Sequence, residues 1–446
     1  MQRVITIAVL VLLAAAVVFL FLGGSADEGL VFWTTDHEPD RMKIQREIAE
    51  EFAAARGGGA GASRVSVQPV PEQKLKEVLS QQIAAGMLPD VIRAGIEHVV
   101  GYERDGLLDA EMATAVIKDL GVDSFAAGAL APVKRGGMYL AVPVDGWAQG
   151  IWYRKDLFDA KGLKAPTDWP AILAAAEALT VRDELDPRYG IALPRHPGSQ
   201  YPQQIFEQLA MSAGARLFDD EGKVDCDQPA IRRTVELWKK LSRFCPEKTL
   251  VEPAQAQLLY LTGKAAMIFY SPYILDDIAG MTDKKDNLDR PDLAKVTGFA
   301  PVISEEPGGR GAGYAQLVYL CIMKDAPPVA KDWCRHLLTD AYMRICFMSA
   351  GGKVPVRSAA LAEWRKHPCF EAYDGAIPDL LIKGLDASGR WGFREGRAFP
   401  LIADVYSKHV FAEALNEMVA DDLSVDETMK RIVRKMAPFL EEPAAR

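Results

Sequence analysis

Residues 142–163, "VPVDGWAQGIWYRKDLFDAKGL", combine two kinds of side chain that seldom share one strand. Val142, Val144, Ile151 and Tyr153 have the β-branched and aromatic character of a strand crossing a packed core. Pro143, Asp145, Trp147 and Gln149 instead make a polar and aromatic wall of the kind that faces a ligand. The segment either builds a core or lines a cleft between two lobes, and the choice fixes the architecture of the chain.

Upstream, "LVFWT" at residues 30–34 is a short β-rich run. It is followed by "TDHEPDR" and an amphipathic helix with Pro39 in its first turn and Ile44, Ile48 and Phe52 recurring at i+4. A Gly-rich stretch ends that helix, residues 65–70 alternate as a strand, and residues 72–87 carry Leu75, Leu79 and Ile83 on one helical face. "LPDVIRAG" supplies a third strand. The order β-α-β-α-β predicts a mostly parallel sheet flanked by helices, whose ligands bind at the carboxyl ends of the strands. Downstream, Asp168 caps a helix opened by Trp169 and Pro170, and residues 265–270 form a buried strand after a Gly turn. Two strands flank "SEEPGGRGAG", residues 331–348 read as one helix, and the last hundred residues are mostly helical.

At 446 residues the chain is too long for one ordinary domain. Its 52 Lys and Arg against 61 Asp and Glu give a net charge of −9, so there is no basic excess with which to neutralise phosphates and nucleic acid is not an expected partner. Arg3 is followed by a run over residues 4–22 that holds no charged residue, then by small residues at Gly24 and Ala26. That run approaches the roughly 20 residues of a spanning helix, so residues 1–26 read as an export signal cleaved after Ala26 or as a retained membrane anchor. The rest of the chain then faces a non-cytoplasmic space. The six cysteines show no CxxC and no Cys/His ligand spacing, so a structural zinc site is not expected, and disulfides are open in an oxidising compartment.

No enzyme or cofactor motif is present: there is no GxSxG, HExxH, GxxxxGK[ST] or strand-linked GxGxxG. The six histidines are scattered, so a metal cluster would need assembly from distant parts of the chain, and neither metal nor cofactor is expected. The aromatic residues are more informative. Trp33 ends the first strand, Trp147 lies in the opening segment, Tyr270 and Tyr273 flank a Pro turn, Tyr314 begins a strand, and Trp391 sits in "GRWGFREG". Rings at strand ends and loop tips suit stacking on the apolar faces of a sugar, whereas Trp169, Trp238, Trp333 and Trp364 fall on helix faces and read as core.

Four segments carry a resemblance to the extracellular solute-binding proteins of ABC importers, in the carbohydrate-binding family that includes maltose-binding protein. They are "AAGMLPDVIRAGIEHVVGYERDGLLDAE" (84–111), the block 142–180 with "YRKDLF" and "GL", "YLTGKAAMIFYSPY" (260–273), and "AYMRICFMSAGGKVPVRSAAL" (341–361). Their order and intervals also fit. The resemblance implies an α/β fold of two lobes joined by hinge strands near 139–145, 311–314 and 352–357, with a ligand cleft between the lobes. Lobe 1 would comprise residues 27–141 and 314–353, and lobe 2 residues 142–313 and 354–446. It also implies a carbohydrate ligand, membrane permease and ATPase partners, and a periplasmic monomer without catalysis. In the cleft it places Asp145 and Trp147 on the first crossover, Tyr273 where relatives carry a stacking Trp, and Trp33, Asp36 and Glu38 at the loop after the first strand. Arg357, after the third crossover, would bind a hydroxyl or hold the hinge.

Three other readings remain open from the residues. An anion binder, for instance of a phosphorylated polyol, would draw on Arg310, Arg357 and Arg394. A tethered sensor would keep residues 4–22, and a hydrolase would need two carboxyls about 5–9.5 Å apart.

Overall fold

The computed structural model describes residues 29–57, 64–246, 251–348, 351–394 and 397–440. Residues 1–26, which carry the signal or anchor reading, lie outside the described residues. Among the described residues no helix is long and apolar enough to cross a membrane.

The first five elements follow the predicted order: β1 (Leu30–Thr34), α1 (Pro39–Ala55), β2 (Val65–Pro69), α2 (Leu75–Ala84) and β3 (Val91–Gly95). β1 pairs in parallel with both β2 and β3, as strands joined by helical crossovers must. α3 (Ile96–Arg104) starts directly at the carboxyl end of β3. The quoted segment supplies β4 (Val142–Arg154), a single 13-residue strand. It is followed by α4 (Tyr201–Ser212), β5 (Met267–Tyr270), β6 (Thr297–Ala300), β7 (Ala312–Ile322) and β8 (Val354–Pro355).

β4 answers the opening question by doing both jobs. Its first half pairs antiparallel with β7 and β8, and its second half pairs with β5 and β6. The main path of the sheet runs β8-β4-β7-β3-β1-β2, with β5 and β6 attached to the far end of β4. Gly150 lies within that far half, where a Cβ would come 2.5 Å from the Ala300 carbonyl oxygen. A side chain at Gly150 would push β6 away.

Two apolar clusters flank this sheet. One gathers Phe32, Ile92, Leu320 and Trp333, with Trp333 edge-on to Phe32 at 5.5 Å and to Phe52 at 5.2 Å. It also takes in Val354 of β8 and Trp364, Phe370 and Tyr373 from the chain beyond it. The other gathers Ile172, Phe206, Trp238 and Phe411, with Phe206 stacked on Phe411 at 5.0 Å. Each such side chain contributes about 1.5–3 kcal/mol on burial. Trp169, Trp238, Trp333 and Trp364 are all buried.

Two expectations are corrected. Residues 331–348 form two helices, Val329–Leu338 and Tyr342–Phe347. Thr339 leaves helical geometry at φ −123°, ψ −90°, and its hydroxyl donates to the Arg335 carbonyl at 2.9 Å. Side-chain bonding of this kind competes with the helical ladder. All six cysteines are buried and free, and burial pushes the Cys226 thiol up to about 11.

Candidate functional site

Sheet register decides which side chains meet. Trp147 of β4 stands opposite Gln316 of β7, Asp145 opposite Val318, and Val318 in turn opposite Gly95 of β3. Partners across a ladder share a face, so Arg93, Asp145, Trp147 and Gln316 emerge on one side of the sheet. Gly95 keeps this side open, because a Cβ there would lie 2.0 Å from the Gln316 amide nitrogen.

The first group on this face is a buried set of charges. The Arg93 guanidinium donates to Asp145 at 2.6 Å and to Asp36 at 3.2 Å. Lys353 donates to both oxygens of Asp36, at 3.1 and 2.9 Å, and Gln45 adds a third donor at 3.0 Å. Asp145 and Lys353 are both 0% exposed. Burial raises the Asp36 pKa, but Lys353, Arg93 and Arg41 outweigh it and hold the carboxyl well below the usual carboxylate range. Asp145 and Lys353 sit on or beside two of the strands expected to cross between lobes, β4 and β8, so the set ties both to the loop after β1. Asp276 behaves in the opposite way. Burial and the neighbouring Asp277 charge push it up to about 6.

The second group is aromatic. The Trp147 ring lies 5.9 Å from Tyr273 and 6.2 Å from Tyr314, and the Arg41 guanidinium sits 5.0 Å over Tyr273. Tyr270 stacks on Tyr201 at 4.6 Å, and the Tyr201 hydroxyl bonds the Ser271 hydroxyl at 2.8 Å. Arg390 stands over Tyr314 at 4.6 Å and over Tyr406 at 5.1 Å. It donates to Glu207 at 3.2 Å and also to Gln316, whose amide nitrogen donates to Glu97 at 2.8 and 3.0 Å. Glu207 further accepts from the Tyr406 hydroxyl and, at 2.8 Å, from the Trp391 backbone.

Beside these bonds stand several buried polar atoms that make none. Gln149 and Gln203 are each 0% exposed, and neither the oxygen nor the nitrogen of either amide has a hydrogen-bond partner. Asp145 keeps one oxygen without a partner, and so do the amides of Gln45 and Gln204. Leaving one buried polar group unsatisfied costs about 1–3 kcal/mol. Gln149 follows Trp147 by two residues on the same face of β4, and Gln203 precedes Glu207 by one turn of α4. Both amides therefore flank the path Trp147–Tyr314–Arg390–Glu207. A ligand that both donates and accepts hydrogen bonds is the chemical complement of such amides.

The structure brings Asp36, Asp145, Trp147, Tyr273 and Tyr314 together, with Tyr270 on the adjoining tyrosine stack. Four other candidates lie apart. Trp33 is opposite Ile92 in register, while Thr34 is opposite Arg93, so its indole is on the other face, where it donates to Gln68 at 3.0 Å. Glu38 stands at the N-cap position of α1 at the surface without a side-chain capping bond, and pairs with Arg41 at 3.1 Å. Arg357 donates to the Leu338 carbonyl at 2.6 Å and lies over Phe125, which suits a hinge support. The Trp391 ring packs on Phe411 at 5.1 Å in the second core, and its neighbour Arg390 reaches the site instead. Arg310 is exposed, and the side chain of Arg394 lies outside the described residues. Arg93, Lys353, Gln203, Glu207, Gln316 and Arg390 were not singled out from sequence. A lone Arg inside the apolar strand "VIRAG" is the one signal that pointed to any of them.

Residues 37–344 match the family described as bacterial extracellular solute-binding protein, and the chain belongs to that family. YcjN of Escherichia coli (strain K12), which carries the name of an ABC transporter periplasmic-binding protein, is 26% identical over 97% of this chain and 99% of its own. Among solved structures, a sugar transporter protein from Arthrobacter chlorophenolicus A6 with bound laminaribiose has a TM-score of 0.74 at 17% identity. It covers 93% of this chain and 100% of its own. An ABC transporter solute-binding protein from Agrobacterium vitis S4 with bound D-mannitol has a TM-score of 0.73 at 18% identity, covering 94% and 100%. These likenesses establish the two-lobed α/β periplasmic-binding-protein fold expected from the sequence.

Proposed function

We propose that this chain captures a neutral carbohydrate or polyol in the cleft lined by Trp147, Tyr273, Tyr314, Gln149 and Gln203. It delivers that ligand, without catalysis and as a monomer, to the permease subunits of an ABC importer. Its place is the periplasm, free after cleavage near Ala26 or tethered by residues 4–22. The lobes in this reading are residues 27–141 with 314–353 and 142–313 with 354–446, which close around the ligand by a hinge motion.

The carrying observation is the pair of fully buried, unpartnered amides beside a cluster of rings. Rings stack on the apolar faces of a sugar or polyol chain, and amides exchange hydrogen bonds with its hydroxyls. Charge favours a neutral ligand over an anion. Arg93 and Lys353 are committed to Asp36 and Asp145, and Arg390 to Glu207. The laminaribiose and D-mannitol bound by the two structural relatives are of the same chemical class.

A thermal-shift panel of hexoses, disaccharides, hexitols and hexitol phosphates tests the reading. A ligand that binds only the folded state raises the melting point, by about 2.7 kcal/mol of stability at 100 times its Kd. A rise with at least one neutral sugar or polyol is expected. A rise with hexitol phosphates alone, or with none of the panel, refutes it.

A further inference from the structure

Adjoining the cleft on the far side of Gln316, and sharing Glu97 and Tyr406 with its network, lies a cavity of about 60 Å³ between the first elements of the sheet and the C-terminal helices. Glu72, at the turn before α2, and Glu97 and His98, in the first turn of α3, line it from one side. Asp404, Ser407 and His409 line it from the other. One donor atom from each of Glu72, Glu97 and His98 falls within 4.8 Å of the other two. Small side-chain rotations bring such a trio onto one ion at bond lengths of about 2.0–2.2 Å.

Two observations independent of that trio point the same way. Tyr102 lines the cavity and is only 5% exposed, and its hydroxyl has no hydrogen-bond partner. The Nδ1 atom of His409, on the opposite wall, also has none. Charge is unbalanced in the same direction. Four lining carboxylates (Glu72, Glu97, Asp105, Asp404) face two lining cations (Lys76, Arg104), a balance of −2. Asp404 takes Lys76 at 2.5 Å and Arg104 at 2.6 Å, and Arg104 also donates to Asp105 at 3.0 Å. Both lining cations are thus engaged away from Glu72 and Glu97. Arg390 approaches Glu97 at 3.6 Å from the cleft side, but it is shared with Glu207 and Gln316.

We propose that Glu72, Glu97 and His98 bind a divalent transition-metal cation, with a remaining coordination position open to a water held by Tyr102 and His409. One imidazole with two carboxylates suits zinc or manganese, whereas calcium and magnesium prefer all-oxygen sets. The ion sits where the turn before α2 meets the C-terminal helices and pins that junction beside the cleft. The proposal stands whether or not the cleft ligand is a carbohydrate.

The test is calorimetric titration of ZnCl₂ into tag-free, chelator-treated full chain without sugar, repeated for Glu72→Gln and His98→Gln. One zinc per chain is expected, with affinity at least tenfold weaker in each variant. Cobalt titration of the unaltered chain provides a readout that needs no variant to fold. An intense visible d–d band marks a site of low coordination number with a nitrogen ligand. Absence of stoichiometric zinc binding, unchanged affinity in either folded variant, or only the weak band of hydrated cobalt overturns the proposal.

Discussion

Two polar regions share one face of the sheet and differ in how completely they are satisfied. Around Asp36 the charges pair with one another, Arg93 bridging Asp36 and Asp145 and Lys353 closing on Asp36, and only single atoms of Asp145, Arg93 and Gln45 lack a partner. Around Trp147, the Gln149 and Gln203 amides have none. Both regions are buried, so burial alone does not distinguish framework from binding surface. Hydrogen-bond accounting does. Charges that pair with one another fix geometry, while amides with no partner at either polar atom require something from outside the chain.

The sharpest challenge to that division is Asp36→Ala. It strands the buried Lys353 ammonium and deprives Arg93 of one partner, so a loss of about 3–5 kcal/mol is expected in urea unfolding. The pH dependence follows the same sign. The folded-state pKa of Asp36 is depressed, so its contribution is fully present above its unfolded value of about 3.9 and is lost as pH falls below it. The variant should therefore lose less stability than the parent on acidification below pH 4. Equal acid sensitivity would show that the network contributes nothing.

Trp147→Ala addresses the other region. Removing a stacking ring should weaken sugar or polyol binding by about 1–3 kcal/mol, read by calorimetry. A variant that does not fold would place Trp147 in the framework instead.

Asp276 supplies an intermediate case, a carboxyl influenced by Arg41 yet held near 6 by burial and Asp277. Its folded pKa is raised, so stability falls as pH rises from about 3.8 to about 6. Asp276→Asn should remove that fall and stabilise the protein at pH 7 by about 1–3 kcal/mol. Melting points at pH 4 and pH 7 check it. The smallest effect is expected of Trp33→Phe. Loss of its bond to Gln68 should cost about 1 kcal/mol and leave ligand affinity unchanged, because the indole lies on the opposite face.

The sequence made the fold readable because its signals were local. The strand and helix periods of residues 30–95 predicted the parallel unit, and motif spacing carried the rest. The site was readable where a residue's position on its own strand set its direction, as for Asp145 and Trp147. It was unreadable where the arrangement depends on distant pairing. Lys353 meets Asp36 across 317 positions and Arg390 meets Glu207 across 183. Single-residue offsets misled twice. Strand alternation sends Trp33 to the far face while Thr34 faces Arg93, and Arg390 reaches the site while Trp391 packs in the core. The unpartnered amides could not be foreseen, since satisfaction depends on every neighbour in space.

The decisive experiment compares the parent with Gln149→Leu/Gln203→Leu by calorimetry, using the sugar or polyol that stabilises the parent most. Leucine is near in volume and removes only the polar atoms, so unliganded stability should hold or rise slightly while affinity falls about 100-fold, roughly 2.7 kcal/mol. Undiminished affinity in a folded double variant would mean that the ligand does not meet these amides, and that the cleft lies elsewhere.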